Sequence, residues 1–253
     1  MSTKHIEFNL SIGKQKPESI INTTTKCPFC DRENLEGIIA ADGSILLIKN
    51  KYPVLEDTVQ TVLIETDQCQ SELSLYPKEH LHKVFHFGIN KWLEMEQQED
   101  YKSVIFFKNH GPFSGGTIRH PHMQIIGLKT INYLDAVYPE HFEGLVIVKA
   151  DGIELNLSTK PRVGFFEFNT ILTDITKIDQ LADYVQLVTQ YILSNFHRNC
   201  NSYNLFFYKI NDSIAVKIMP RFVTSPLFIG FAIPQVSSRL EDVVLDFQEK
   251  FLR

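Results

Sequence analysis

Alternating apolar and polar positions predict a series of short strands along most of the chain. Two Asp-Gly pairs, Asp42-Gly43 and Asp151-Gly152, are typical of tight hairpin turns, and Asn211-Asp212 indicates a third turn. The predicted strands are 37–41, 44–49, 60–65, 104–107, 125–128, 145–149, 153–157, 163–168, 203–210 and 214–219. The pattern therefore predicts a body built on an antiparallel sheet.

Apolar positions at helical spacing predict three helices between or after these strands. The predicted helices are 77–98, about 179–197, and a last helix that follows the capping box 238–241. Three histidines, His80, His82 and His86, lie off or beside the apolar stripe of the first helix. His82 and His86 have the i and i+4 spacing of helical metal ligands, but no third ligand accompanies them. A solvated helix face is therefore favoured over a metal site.

The segment 108–124 concentrates chemically useful side chains between two predicted strands. Because side chains alternate along a strand, His120 and His122 are expected to point to the same side, with Gln124 beside them. The small residues 114–117 lie just upstream, where backbone amides can approach an anion closely. Together these features indicate a phosphate held in front of an imidazole.

The order hairpin, strand, long helix, strand, strand occurs twice, which predicts an internal duplication. The two copies agree in pattern and not in residue identity. Where the first copy has its paired histidines, the second has Ser213 and Ala215. The second copy is therefore expected to be a structural partner without the chemistry.

Composition and charge narrow the class of protein. A chain of 253 residues with 43% hydrophobic content can bury a good core. A net charge of -5 and a pI near 6.0 argue against a general nucleic-acid binder, whereas a small phosphorylated ligand needs only a few local donors.

No apolar run is long enough to cross a bilayer and residues 1–10 show no signal peptide, so a cytoplasmic protein without membrane partners is expected. Residues 1–26 are polar and are expected to form an arm with at most one short strand.

The four cysteines, Cys27, Cys30, Cys69 and Cys200, are too few for a disulfide scaffold of this length. The C-x-x-C pair at 27–30 points to metal binding or redox chemistry. A thioredoxin-like pair should follow a strand and open a helix, whereas the residues after Cys30 have the composition of a loop. Metal binding is therefore favoured.

The F-x-N-x-G start and the H-P-H-x-Q end of the central segment resemble the active-site segment of galactose-1-phosphate uridylyltransferase and of related adenylyltransferases in the histidine-triad superfamily. The match runs through the segment without a gap. Weaker similarity extends to C-P-F-C at 27–30, to 49–55, which resembles the uridine-side end of a strand, and to 62–69. The last of these normally ends in a zinc-binding histidine, and here it ends in Cys69.

The resemblance implies one structural zinc ion. Its ligands would be Cys27, Cys30, Cys69 and His120, since a cysteine in place of the usual histidine keeps a zinc-competent ligand. His120 on the metal would fix the strand that aims its neighbour His122.

The resemblance also assigns roles around a phosphate. His122 would be the nucleophile that attacks the α-phosphorus and holds the nucleotidyl group as a phosphoramidate. Gln124 stands where the hydrolases of the superfamily carry a third histidine, which favours transfer over hydrolysis. The other residues implied in nucleotide or phosphate binding are Ser114, Gly115, Gly116 and Thr117 around the phosphoryl oxygens, Asn109 bracing that loop, Asn50, Lys51 and Tyr52 along the base and ribose, and Lys16 on the phosphate side.

These observations predict an α+β fold of two histidine-triad-like halves. Residues 1–130 would carry the zinc site and the active-site segment, and residues 131–253 would be catalytically degenerate. The predicted function is a uridylyl- or adenylyltransferase that moves a nucleoside monophosphate from a nucleotide or nucleotide sugar to a phosphorylated acceptor such as a sugar phosphate. A nucleotide hydrolase and a non-catalytic nucleotide sensor stay open as alternatives.

The resemblance also implies a homodimer with its sites near the subunit boundary. The second-half histidines that bind a further metal in bacterial uridylyltransferases are absent, so the acceptor pocket does not carry over.

Overall fold

The computed structural model describes residues 5–196 and 200–252, which form one large sheet with helices packed against it. The strands are β1 (Ile38–Asp42), β2 (Ile45–Lys49), β3 (Thr58–Ile64), β4 (Ser103–His110), β5 (His122–Leu128), β6 (Gly144–Ala150), β7 (Ile153–Ser158), β8 (Gly164–Phe165), β9 (Phe168–Leu172), β10 (Tyr203–Ile210), β11 (Ser213–Pro220) and β12 (Gln235–Val236). The α-helices are α1 (Leu10–Gly13), α2 (Lys78–Glu96), α3 (Ile178–Tyr191), α4 (Pro226–Phe231) and α5 (Leu240–Phe251). No helix in these ranges is long and apolar enough to span a bilayer.

Ten strands form one antiparallel sheet in the order β1-β2-β3-β5-β4-β10-β11-β9-β7-β6. Read inward from each outer edge, the first half runs β1-β2-β3-β5-β4 and the second runs β6-β7-β9-β11-β10, which is the same order of corresponding elements. β4 and β10 join the halves in the middle of the sheet, with Tyr203 opposite His110 and Phe207 opposite Phe106. The mixed fold with a large antiparallel sheet and the three predicted hairpins are confirmed. The internal duplication stays a prediction.

Three local predictions differ from the structure. The strand predicted at 163–168 is interrupted in the structure: Gly164–Phe165 forms β8, which pairs with β12 outside the large sheet, and β9 begins only at Phe168, after a positive φ of 52° at Phe165. The capping box at 238–241 does not form, since α5 begins at Leu240 and its N-cap residue, Arg239, makes no side-chain cap bond. The N-terminal arm forms a helical turn, α1, that no pattern indicated. The predicted end of the second helix at His197 lies outside the described residues.

Helices α2 and α3 pack side by side on one face of the sheet. Gly88 lets α2 approach closely, because a Cβ there would lie 2.8 Å from the Phe106 ring. Phe106 stacks on Phe207 across the junction of the halves, with ring centroids 4.1 Å apart. Trp92 donates from Nε1 to the carbonyl oxygen of Val104 at 2.9 Å, so its one polar atom is satisfied inside the core. These contacts bury the helix face of the sheet as a single core across both halves.

The histidines of α2 contribute to the contact between the two long helices. His82 Nε2 lies 2.9 Å from Asp183 Oδ1, and His86 Nε2 lies 2.9 Å from Asp179 Oδ1. The prediction of a solvated face misses these pairs, because both aspartates follow about 100 positions later in the chain.

The opposite face of the sheet is closed in the second half by a buried polar network. The cross-strand pairs Gln124–Phe107, Phe107–Phe206, Phe206–Lys217 and Lys217–Asn169 place these side chains on one face. There, Lys217 Nζ lies 3.0 Å from Glu167 Oε2 and donates to Asn169 Oδ1 at 2.8 Å.

The segment of short 3₁₀ turns Tyr133–Ala136 and Pro139–Phe142 lies directly on this network. Lys217 Nζ donates to the carbonyl oxygen of His141 at 2.7 Å, and Asn156 Nδ2 donates to that of Phe142 at 3.0 Å. The second half therefore has no open cavity at this position among the described residues.

Candidate active site and metal centre

In the first half, the face of the sheet opposite the helices opens into a cavity of about 580 Å³. On β5, His122 and Gln124 line the cavity, whereas Met123 and Ile125 point into the helix-side core. Phe29, Ile48 and Val62 form its floor, and together with Ile64 they make a second, smaller apolar cluster. The lining is Lys16, Pro17, Lys26, Cys27, Pro28, Phe29, Asp31, Asn34, Leu35, Glu36, Gly37, Ile48, Lys49, Asn50, Lys51, Tyr52, Val62, Asn109, Gly115, Gly116, Thr117, Ile118, His122 and Gln124.

The loop between β4 and β5 presents backbone to this cavity. Gly111 and Gly115 both have a φ of +83°, a conformation that side chains with a Cβ rarely adopt. Ser114 is buried and does not line the cavity; its hydroxyl donates to the Gly111 carbonyl oxygen at 2.7 Å and accepts from Gly116 N at 3.2 Å. The carbonyl oxygen of Thr117 accepts from Ser19 N at 2.8 Å, which ties the N-terminal arm to the loop. The turn therefore holds the Gly115 and Gly116 backbone open toward the cavity.

His122 is held in one orientation at the end of the cavity. Its Nδ1 lies 2.8 Å from the carbonyl oxygen of His120. Because a carbonyl oxygen only accepts, Nδ1 carries the proton and Nε2 is left with its lone pair. Nε2 has no hydrogen-bond partner among the described residues, and the ring lines the cavity. The tautomer and the orientation therefore present a nucleophilic nitrogen to a ligand.

The pKa of His122 is lowered to about 4, first by burial and then by the positive charge of Lys108. Lys108 is itself almost fully buried beneath β4, where it forms an ion pair with Glu65. Glu65 also accepts a hydrogen bond from the Tyr76 hydroxyl at 2.9 Å, which satisfies its second oxygen. The surroundings of His122 thus keep the imidazole neutral at ordinary pH.

Cys27, Cys30, Cys69 and His120 form a compact ligand group beside the cavity, with their four ligand atoms within 4.8 Å of one another. His120 Nδ1 lies 3.6 Å from Cys27 Sγ and 3.7 Å from Cys30 Sγ. A tetrahedral zinc site with ordinary bond lengths separates nitrogen and sulfur ligands by about 3.5 Å, so the spacing fits such an ion.

The surroundings of these ligands also fit a metal. His120 Nε2 lies 2.8 Å from the carbonyl oxygen of Thr66, so the outer nitrogen carries the proton and Nδ1 is free to bind. Burial, and then the neighbouring thiols Cys30 and Cys69, raise the pKa of Cys27 to about 12. A thiol with a raised pKa needs a nearby positive charge to ionise, which a divalent ion would provide to Cys27. The fourth cysteine, Cys200, is buried in the second half and is not part of the group.

The predicted site residues are brought together with few exceptions. Lys16, Asn50, Lys51, Tyr52, Asn109, Gly115, Gly116, Thr117, His122 and Gln124 all line the cavity. Asn50 accepts from Tyr52 N at 2.9 Å, which shapes the strand end that carries them. Burial lowers the pKa of Lys16. Ser114 and His120 lie behind the cavity surface, one under the loop and the other in the metal group.

Sequence reasoning missed a part of the lining. Lys26 and Lys49 add two positive charges to those of Lys16 and Lys51, and none of the four forms an ion pair among the described residues. The segment 31–37 supplies a rim in which Asn34 Nδ2 donates to Asp31 Oδ1 at 2.9 Å. Their positions in the sequence could have indicated them. Lys26 and the segment 31–37 flank the C-P-F-C motif, and Lys49 directly precedes Asn50.

Comparisons with known proteins place these features in a family context. Two family models match, described as domain of unknown function (DUF4931) N-terminal domain over residues 8–131 and DUF4931 C-terminal domain over residues 134–252. The chain is similar to a DUF4931 family protein from Bacillus cereus ATCC 10987 of known crystal structure, with 51% identity, a TM-score of 0.79, and coverage of 85% of this chain and all of that one. No curated protein sequence matches significantly.

More distant solved structures share the fold. An ADP-glucose phosphorylase from Arabidopsis thaliana with bound ADP-glucose has 17% identity and a TM-score of 0.75, over 95% of this chain and 94% of that one. A uridylyltransferase has 14% identity and a TM-score of 0.70, over 88% and 90%. The resemblance drawn from the sequence is therefore confirmed for the fold.

Proposed function

The chain belongs to the DUF4931 family, and from this premise we propose that it is a nucleotidyltransferase acting through a covalent nucleotidyl-histidine intermediate on His122. The observation that carries the proposal is the His122 ring, whose Nδ1 is held on a backbone carbonyl while Nε2 faces a cavity beside a glycine loop. A neutral, oriented imidazole is a good nucleophile and a good leaving group. The relatives named as ADP-glucose phosphorylase and uridylyltransferase support this class of reaction.

The reaction proceeds in two displacements at one phosphorus. In the first, the Nε2 lone pair of His122 attacks the α-phosphorus, and the bond to the leaving phosphate oxygen breaks with its electron pair. In the second, a phosphate oxygen of the acceptor attacks the same phosphorus, and the P–N bond returns its electrons to Nε2. Nδ1 keeps its proton and donates it to the carbonyl oxygen of His120 throughout, which stabilises the positive charge on the ring in the intermediate.

The loop and Gln124 act on the phosphoryl oxygens. The amide of Gly115 and the hydroxyl of Thr117 donate to the non-bridging oxygens as charge shifts during attack, while the Gly116 amide, which donates to Ser114 Oγ, keeps the turn in shape. Gln124 donates from its amide without offering an acid or a base to water, which favours transfer over hydrolysis. Lys16 adds positive charge on the phosphate side.

The other end of the cavity receives the base and ribose. Asn50, Lys51 and Tyr52 line the ribose side, and the apolar floor around Ile48 and Val62 receives the flat face of the base. The donor is a nucleotide or a nucleotide sugar, and the acceptor is a phosphorylated compound such as a sugar phosphate. The cavity is lined by four lysines against two acidic residues, Asp31 and Glu36, and this excess of positive charge favours a ligand with more than one anionic group.

A structural zinc ion is part of this proposal. Cys27, Cys30, Cys69 and His120 would hold it, and when bound it would cross-link the 27–30 turn, the 62–69 segment and the start of β5. His120 would thereby fix the carbonyl group that orients His122. The ion would serve to hold these segments together, and the displacements are assigned to His122.

Residues 1–130 would then be the catalytic half and residues 131–253 a half that supports it, and a homodimer is the proposed assembly. An exposed apolar surface, 222–236, supports self-association, because Val223 and Phe231 are 81% and 73% exposed. The stretch 222–238 carries no charged side chain, which is typical of interface centres. Light scattering tests the dimer, and a monomer at working concentration would contradict it. No nucleic acid or membrane partner is part of the proposal.

Covalent labelling tests the function. The protein is incubated with a panel of α-labelled nucleotide donors without acceptor, and the expected result is an acid-labile, alkali-stable label on the chain. Gln124→His is expected to shorten the lifetime of the label by admitting water. Donors that bind tightly without labelling the wild-type protein would contradict the catalytic part and leave a nucleotide-binding protein. Label that discharges to water as fast as to any acceptor would indicate a hydrolase.

A further inference from the structure

Asn204 carries a contact from the second half into the proposed phosphate site. It lies on β10 directly opposite Asn109 of β4, and only 1% of its surface is exposed. Its Nδ2 donates to Asn109 Oδ1 at 2.6 Å and to the carbonyl oxygen of Ser114 at 3.0 Å. One hydrogen of the Asn204 amide is thereby directed at the Asn109 side chain at the end of β4, and the other at Ser114 in the loop.

The bond from Asn204 decides which way the Asn109 side chain is turned. Because Asn109 Oδ1 accepts from Asn204, the Nδ2 group of Asn109 must point away from Asn204. Asn109 lines the cavity and packs closely against Gly116. A Cβ added at Gly116 would lie only 3.1 Å from the Asn109 Cβ. Its Nδ2 has no partner among the described residues. Two N–H donors therefore face the cavity beside the loop that is proposed to hold the phosphate.

The contacts of Asn204 have opposing effects on stability. Its own Oδ1 is buried without a hydrogen-bond partner in the described part of the chain, which destabilises the fold. Its Nδ2 satisfies the carbonyl oxygen of Ser114, which an apolar side chain would leave without this donor. Besides that bond, the amide contributes the fixed polarity of Asn109.

The second half also holds the start of the same loop. Ser202 Oγ accepts from Phe113 N at 3.1 Å. A Cβ at Gly111 would lie 2.1 Å from the carbonyl oxygen of Asn201, so the loop is packed against the residues that precede β10. The loop is therefore anchored on the second half at two separate points.

We infer that Asn204 is a positioning residue, which turns the Asn109 amide so that its N–H groups donate to a phosphoryl oxygen held by the Gly115–Gly116 turn. This inference rests on the proposed nucleotide binding. It gives the second half, which lacks the histidine pair, a part in phosphate recognition through a single side chain.

Replacing Asn204 by two residues of opposite character tests the inference. In Asn204→Asp the introduced carboxylate can only accept, so Asn109 is expected to donate to it and to turn its own oxygen toward the ligand phosphate. In Asn204→Ala the Asn109 amide is free to take either orientation. We expect affinity for a nucleoside monophosphate to fall at least about tenfold in Asn204→Asp and less in Asn204→Ala. Affinity for the matching nucleoside, measured by NMR titration, should stay within about twofold in both.

A merely structural role predicts another order of effects. It would lower the melting temperature in both variants and leave the ratio of monophosphate affinity to nucleoside affinity as in the wild type. An unchanged ratio would therefore overturn the inference. Asn156→Ala is the matched control, because Asn156 is equally buried in the second half and bonds to Phe142 and Asn169 away from the loop. It should lose stability and keep the ratio.

Two further outcomes are distinguished. If Asn204→Asp does not fold, the comparison of Asn204→Ser with Asn204→Ala decides, because these variants differ by one hydroxyl group. Greater monophosphate affinity in the serine variant supports the inference. Equal affinity in the two variants overturns it. If the wild-type protein binds no nucleoside monophosphate, the proposed function fails and the inference fails with it. Wild-type binding with an unchanged ratio in the variants removes the inference alone.

Discussion

The two halves of the sheet share one strand order and differ in what lies on the face away from the helices. In the first half, a glycine loop and the segment 27–37 stand off from the sheet and leave a cavity that ends at His122. In the second, Lys217 and Glu167 form a buried ion pair, and the 3₁₀ turns up to Phe142 lie directly on it. The strand order therefore does not make a site. The site requires a loop short of side chains and a covering segment that is held away from the strands.

Removing the nucleophile should give the largest difference between the halves. His122→Ala is expected to abolish covalent labelling by α-labelled donors, because no other imidazole among residues 5–196 and 200–252 lines the cavity. Ser213→Ala changes the corresponding strand start of the second half and should label as the wild type does. Circular dichroism and metal content should be unchanged in both. Residual label in His122→Ala would place the nucleophile elsewhere.

The cysteines give a second contrast. Cys69→Ser should reduce bound zinc from about one per chain to none and lower the free energy of unfolding by more than about 3 kcal/mol, because a closed metal site holds three separate segments. Cys200→Ser, at a buried position in the second half, should keep the metal. Elemental analysis and chemical denaturation measure both effects. Wild-type protein purified without chelator that contains no zinc would disprove the metal centre.

Breaking the buried ion pair of the second half should affect stability and not the chemistry. Lys217→Met leaves the Glu167 carboxylate buried with only its backbone donors, which should cost about 3–5 kcal/mol of unfolding free energy. Adding Glu167→Gln should recover a part of that loss, because the buried charge is then removed. Nucleotide affinity, measured well below the melting temperature, should be unchanged. A loss of affinity in Lys217→Met would show that this network reaches the first-half site.

The smallest expected effect is a pH profile. Since burial and Lys108 lower the pKa of His122 to about 4, the nucleophile stays neutral on acidification from pH 7.5 to about 5. An ordinary histidine, with a pKa near 6.5, would be largely protonated at the lower end of this range. The rate of labelling should therefore be nearly flat, and should fall only as the pH approaches about 4. A nucleotide sugar is the suitable donor, because its diester phosphates do not titrate there. A tenfold fall between neutral pH and pH 5.5 or so would contradict the lowered pKa assigned to His122.

The parts of the structure that local chemistry determines were predictable. Turn residues at 42–43 and 151–152 located the hairpins, and the helical stripe located α2 within two residues of its ends. The metal group includes Cys69, which lies far from the C-x-x-C pair and has no signal of its own; only the family resemblance connected it.

Contacts that form through folding left no such signal. The bond from Asn204 to Asn109 joins residues 95 positions apart, and nothing in the neighbourhood of Asn204 distinguishes it from other strand asparagines. The same holds for Lys108 and Glu65, which look like surface residues of strands until the tertiary fold buries them. The interruption between β8 and β9 was missed because the positive φ of Phe165 contradicts the strand preference of the apolar run around it.

The junction of β4 and β10 has a consequence for how the chain is made. During synthesis β4 emerges about 90 residues before β10, which at ~5–20 residues per second corresponds to roughly 5–20 s in which β4 is a bare edge. That edge carries adjacent phenylalanines, Phe106 and Phe107, and such edges are templates for pairing between nascent chains. The first half can therefore be completed only when the C-terminal strands arrive. Chaperone capacity and translation speed between codons 110 and 203, rather than the finished protein's stability, would then govern the yield of native protein.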